Sequence, residues 1–192
     1  MIDFNEVFKK TIKFEGGYSL DPDDPGGETY KGISRIHHPY WSGWEKIDDY
    51  KESGILGIVD KDNIVHDRVR LFYETHYWRR IRGKDLYYQN LAEVVFDTAV
   101  NMGVHKGIKC LQESLNLLNR NQKDYPDLIK DGLIGRKTLG ALNTYLNRRS
   151  TGLEPEILIT VYKILRGYHY VQIMRKSQTL EKFAKGWFKR IL

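Results

Sequence analysis

Glu15 lies in Phe14-Glu15-Gly16-Gly17-Tyr18, where an amphipathic helical pattern gives way to the turn-rich run Asp21-Pro22-Asp23-Asp24-Pro25-Gly26-Gly27-Glu28-Thr29. A carboxyl at such a junction is placed for general-acid work. Upstream, Phe4, Val7, Phe8 and Ile12 recur at helical spacing, and the two glycines after Glu15 can adopt the left-handed backbone that ends a helix. The expected helix covers 3–15 and carries Glu15 on its last turn. There the partial negative charge of the helix end opposes ionisation, and desolvation by Phe14 and Tyr18 pushes the same way, so the acid is expected to hold its proton near neutral pH. That proton would serve a leaving oxygen.

A second carboxylate is available in the turn, where Asp21, Asp23 and Asp24 compete, although Asp, Pro and Gly are also what any tight turn demands. Asp97 and Asn101, four apart on a helical run, are either a hydrogen-bonded structural pair or a substrate contact. The histidines offer no comparable pattern: His37 and His38 are adjacent, while His66, His76, His105 and His169 are scattered without H-E-x-x-H or cysteine-pair spacing. No metal and no cofactor are expected. G-x-S-x-G and a phosphate-cradling glycine loop are missing, so serine-hydrolase and nucleotide chemistry have no support.

The elements that must position these residues read as mostly helical with a small β element near the front. The segment from Gly16 to Asp60 is turn-rich, with Thr29-Tyr30-Lys31-Gly32-Ile33 as a short hairpin. Helices are expected over 62–82, 90–102 and 105–118, followed by a polar loop over 119–130 that contains Pro126. Asp131-Gly132-Leu133-Ile134-Gly135 then opens a helix to Asn147, and Pro155 stands at the first turn of a long one ending near Lys176. The terminal stretch 180–191 has Phe183, Ala184, Trp187, Phe188 and Ile191 on one face and Lys182, Lys185, Lys189 and Arg190 around the other. That stripe closes a core or makes weak contact with an anionic membrane.

Composition sets the outer bounds. The chain has 192 residues, 41% hydrophobic and 29% charged, values of an ordinary globular protein, and no apolar run approaches the roughly 20 residues of a membrane span. Residues 1–60 carry 7 Lys/Arg and 12 Asp/Glu, whereas 61–192 carry 24 and 13. The basic rear suits a polyanion, but no recognised nucleic-acid motif accompanies it, so no specific nucleic acid is expected. Cys110 is the single cysteine, read as a small buried residue. The start shows neither a basic leader nor an apolar stretch, so delivery by another agent, such as a phage holin or a secretion system, is the expected route to any target outside the cytoplasm.

Glu15-Gly16-Gly17-Tyr18, followed by Asp21-Pro22-x-Asp24-Pro25-Gly26-Gly27-x-Thr29 and Gly32-Ile33, resembles glycoside hydrolase family 108, which contains lysozyme-like N-acetylmuramidases. Tyr77-Trp78, Phe96-Asp97-x-Ala99-x-Asn101-x-Gly103, Leu111-Gln112 and Asp131-Gly132-x-Ile134-Gly135-x-x-Thr138-Leu139 resemble the predicted peptidoglycan-binding region that usually follows it. The resemblance implies a mainly α, lysozyme-like fold with a small hairpin and a helical C-terminal lobe. It divides the chain into a catalytic region, 1–88, and a wall-binding region, 89–192, packed as one body.

By the same resemblance Glu15 is the general acid of a muramidase cutting β-1,4 bonds between N-acetylmuramic acid and N-acetylglucosamine. A more distant similarity to phage-type lysozymes, in which eight residues separate the glutamate from an aspartate and five more separate that from a threonine, favours Asp24 as second carboxylate; only four residues separate Thr29 from it, with Tyr30 in the expected place. Thr29 would orient water. Sugar rings stack on aromatic faces, so Tyr18, Tyr30, Tyr40, Trp41 and Trp44 are candidate contacts, with Asp97 and Asn101 behind them. Glycan strands of bacterial peptidoglycan are the expected partner of a monomer acting in the periplasm or outside the cell, and a non-catalytic wall-binding module or a lytic transglycosylase is the alternative.

Overall fold

The computed structural model describes residues 1–20, 26–148 and 151–192. The chain forms two compact units, one of residues 8–76 and one of residues 1–7 with 77–192. The division expected from the sequence, at residue 88, falls inside the larger unit.

In the smaller unit, α1 (Phe4–Ile12) enters from the larger one and stops three residues before Glu15. Phe14 and Glu15 then donate backbone bonds to Thr11 and Ile12, at 3.0 and 3.1 Å, so the chain tightens from α-helical to i+3 spacing before the glycines. Glu15 therefore sits beyond the helix, not on its last turn. Three short strands, β1 (Tyr18–Leu20), β2 (Glu28–Tyr30) and β3 (Ile33–Ser34), form an antiparallel sheet in that order, one strand more than the expected hairpin. Register pairs Tyr18 with Tyr30 and Thr29 with both Ser19 and Ser34. Side chains alternate along a strand, so the hydroxyls of Ser19, Thr29 and Ser34 share one face.

Two helices back this sheet segment: α2 (Gly43–Glu52) and α3 (Asn63–Tyr73). Asp62 caps α3, its carboxylate accepting from the amides of Ile64 at 2.6 Å and Val65 at 3.3 Å. Past Tyr73 the helix widens into a π turn, Glu74–Trp78. Phe8, Ile33, Trp44, Ile47, Val65, Val69 and Phe72 fill the core of this unit.

The larger unit is helical: α4 (Gln89–Met102), α5 (Val104–Leu118), α6 (Arg136–Asn147), α7 (Glu154–Lys176) and α8 (Ala184–Lys189). These lie close to the expected ranges, except that the last begins only after a 3-10 segment, Gln178–Phe183. The long helix α7 presents Leu158, Tyr162, Arg166 and Tyr170, each four residues after the last, to a core shared with α4 and α5. Residues 1–7 belong here: Asp3 and Gln89 exchange bonds at 2.9 and 3.2 Å, and the Phe4 ring lies 5.1 Å from Trp78 and 5.7 Å from Phe96. No described helix is long and apolar enough to cross a membrane.

Candidate active site

The turn between β2 and β3 brings bare backbone beneath Glu15. Gly32 has φ +75°, and a Cβ placed on it would lie 2.7 Å from Glu15 Oε2 and 2.8 Å from the Tyr73 hydroxyl. Only glycine leaves that seat open while adopting the backbone angle the two-residue turn requires. Tyr73, buried on α3, donates its hydroxyl to the Lys31 carbonyl at 2.7 Å and so ties the same turn to the helical core. Glu15 is thus held half-buried against a fixed turn.

The remaining expected residues of this unit divide by exposure. Tyr40 is 98% exposed and Trp41 half-exposed; together with His37, His38, Arg68 and His76 they line a pocket of about 460 Å³. Partial burial, then the charges of His76 and His37, push the His38 imidazole below its usual range, so it is neutral at physiological pH. Tyr18 is half-buried, its hydroxyl donating to Glu28 Oε1 at 2.8 Å and its ring lying 5.8 Å from the Lys51 ammonium.

Tyr30 and Trp44 are packed inside. Tyr30 is 2% exposed and donates to Asp60 Oδ1 at 3.0 Å; burial, then that carboxylate, pushes its phenol well up. Trp44 donates its indole N–H to the His38 carbonyl at 2.8 Å and is covered by the Arg35 guanidinium at 5.0 Å. Thr29 stands half-exposed at the centre of β2. The expected Asp24, and its rivals Asp21 and Asp23, lie outside the described residues.

Asp97 and Asn101 are brought together inside the helical unit. Asp97, 8% exposed, is gripped by Arg166 at 2.7 Å and Arg190 at 2.9 Å, while Asn101 accepts from the Tyr170 hydroxyl at 2.6 Å, which itself accepts from Arg166 at 2.7 Å. Burial disfavours the Arg166 charge, yet Asp97 and Tyr170 more than compensate, and its pKa is raised. These contacts give both residues a structural occupation.

Two sets of contacts were not foreseen from the sequence. Arg68 and His76 join the pocket beside Trp41, from a helix and a π turn whose inward faces periodicity alone does not resolve. Gln112, 1% exposed, is a hub: its amide donates to Asp131 Oδ1 at 2.7 Å, the Leu133 carbonyl at 3.1 Å and Thr138 Oγ1 at 3.2 Å, and accepts from the Gly132 amide at 2.9 Å. Its signals in the sequence were a polar residue on the apolar face of α5 and its place in the Leu111-Gln112 pair that resembles the peptidoglycan-binding region, neither of which names its partners. Among the described residues no group of three or more His, Cys, Asp or Glu is placed to hold a metal ion.

The smaller unit thus holds both a half-buried carboxyl seated on a glycine turn and an aromatic-lined pocket, two features that a polysaccharide-cleaving hydrolase uses. The chain belongs to the glycosyl hydrolase 108 family, whose model matches residues 8–103, and residues 106–192 match a predicted peptidoglycan domain. It is accordingly a glycoside hydrolase of peptidoglycan, acting at the cell wall. No curated protein matches it. A solved structure described as that of Brucella abortus SagA is similar in fold, with TM-score 0.56 and 22% identity over 98% of this chain and 88% of that one. The mainly α, lysozyme-like fold expected from the sequence is the one observed.

Proposed function

We propose that the chain is an N-acetylmuramidase that cuts the β-1,4 bond between N-acetylmuramic acid and N-acetylglucosamine, with Glu15 as general acid. The observation that carries this reading is the seat at Gly32, which holds the Glu15 carboxyl against backbone and Tyr73. In the reaction the Glu15 proton passes to the bridging oxygen as the anomeric C–O bond breaks, and positive charge develops on the sugar ring. Asp24 supplies the second carboxylate, which activates water, attacks the anomeric carbon or stabilises its charge. Thr29, at the centre of a row of three hydroxyls across the sheet, orients the water. Tyr40 and Trp41 offer stacking surfaces for the strand, with Tyr18 at its margin.

The test is digestion of purified sacculi, followed by loss of turbidity and release of reducing ends. Glu15→Gln keeps the shape and removes the proton, so activity is expected to fall about 10²- to 10⁴-fold, the usual worth of a general acid. A Glu15→Gln protein within tenfold of the native rate would remove the assignment. Mass spectrometry of the products reads the bond: new reducing ends on muramic acid support a muramidase, ends on glucosamine refute it, and an anhydro sugar identifies a lytic transglycosylase.

A further inference from the structure

The larger unit holds a second cavity, of about 720 Å³, between the loop that follows α5 and the start of α6. It is within the range of sites that hold small organic molecules or short peptides. The loop wall is fixed by side chains of α5. Asn116 donates to the Leu128 carbonyl at 2.9 Å and accepts from its amide at 2.8 Å, Asn119 donates to Asp127 Oδ1 at 2.6 Å, and the Gln112 hub secures Gly132 and Leu133. The groove is therefore preformed and does not depend on a ligand to create it.

Its chemistry is unlike that of a sugar platform. The exposed apolar lining is aliphatic, Ile129 and Leu133, and the one aromatic, Tyr125, is half-buried with its hydroxyl committed to the Leu115 carbonyl at 2.8 Å. Arg136 and Lys137 stand exposed in the first turn of α6, and neither has an anionic partner among the described residues. Cations there oppose the positive end of the helix, and an anionic ligand would relieve that cost. On the loop side, Asp127 and Asp131 add negative charge. The groove thus offers an aliphatic floor with cations on one wall and carboxylates on the other.

We propose that this groove seats the stem peptide of peptidoglycan, its alkyl groups on Ile129 and Leu133, its carboxylates at Arg136 and Lys137, and the amine of its diamino acid toward Asp127 and Asp131. The proposal rests on the reading of the chain as a peptidoglycan hydrolase and names which part of the polymer the rear unit grips. Stem peptides are short, carry alanine methyls, several carboxylates and an amine, and so match the groove in size and in both signs of charge. A glycan strand would match neither the aliphatic lining nor the paired charges.

The experiment titrates the full-length native chain with the pentapeptide L-Ala-γ-D-Glu-L-Lys-D-Ala-D-Ala and follows amide and methyl resonances. Shifts are expected at Ile129, Leu133 and Arg136 to Thr138, and are expected to be lost when the peptide carboxylates are amidated. The double variant Arg136→Glu, Lys137→Glu should bind the pentapeptide at least about tenfold more weakly, as loss of charge-assisted bonds implies. Shifts at these residues with N-acetylglucosamine oligomers and none with the pentapeptide would overturn the proposal in favour of glycan. Undiminished binding by the charge-reversed protein, at native melting temperature, would also overturn it. Reducing-end release from sacculi by the native chain is measured in parallel. Release without peptide binding refutes the groove alone, and peptide binding without release refutes the muramidase reading alone.

Discussion

Gly32 and Glu15 meet without a side chain between them, and that absence is the substance of the site. Gly32→Ala would add strain of about 1 kcal/mol at a positive φ and place a methyl 2.7 Å from Glu15 Oε2 and 2.8 Å from the Tyr73 hydroxyl, so that something must shift. A displacement of up to an ångström at a catalytic group costs on the order of 10²-fold. Steady-state kinetics on soluble glycan fragments should show kcat down by about 10- to 100-fold with KM little altered; full activity would separate Gly32 from catalysis. Asp97 has the opposite character, since its loss leaves the Arg166 guanidinium, 1% exposed, without a counter-charge. Asp97→Ala is expected to cost about 3–5 kcal/mol in thermal or urea unfolding. A change in glycan binding without a change in stability would instead give Asp97 a place in the substrate site.

Among the elements, the connection from α5 to α6 is ordered by side chains more than by backbone pairing. Gln112→Leu would strip the Gly132 amide, the Leu133 carbonyl and Asp131 of one shared partner, at a cost of about 2–3 kcal/mol. Hydrogen exchange at residues 125–133 should quicken selectively, while α7 keeps its protection. The helices themselves were legible in the sequence, because signals such as the apolar residues Ala92, Val95, Phe96 and Ala99 on one side of α4 and the proline opening α7 are local. The end of α1 was not, since glycines mark where a helix can stop and not how its last carbonyls are satisfied. Nor could the turn-rich front tell Trp41 from Trp44: with no repeat to assign faces, the internal positions of Tyr30 and Trp44 follow from contacts with Asp60, His38 and Arg35 that only the folded chain creates.

At the scale of the molecule, the front unit is laced by carboxylates whose charge the fold favours. Partial burial alone would raise Glu28, but bonds from Arg35, Lys51 and Tyr18 outweigh it and hold it below its ordinary 4.5. Asp60 behaves alike through Lys31 and Tyr30, and Arg35 draws Asp48 down. A depressed folded-state pKa adds stability that is complete above the unfolded value and is lost as pH falls through the folded one. The unit of residues 8–76 should therefore hold its stability from neutrality to about pH 5 and lose it progressively below 4.5, as hydrogen exchange at stepped pH would record. Constant protection down to pH 3 would refute this.

The first seven residues supply the last consequence. Because Asp3 and Phe4 are fastened to Gln89, Trp78 and Phe96, the helical body is sewn from two stretches of chain and the smaller unit is spliced between them. Scissors applied once, after residue 88, would sever a seam: a fragment of 89–192 forfeits the patch that covers Phe96 and should come out of cells poorly soluble. Removing 8–76 and joining the flanking ends with a short linker respects the weave, and is the cut by which a free-standing wall-gripping piece is to be sought.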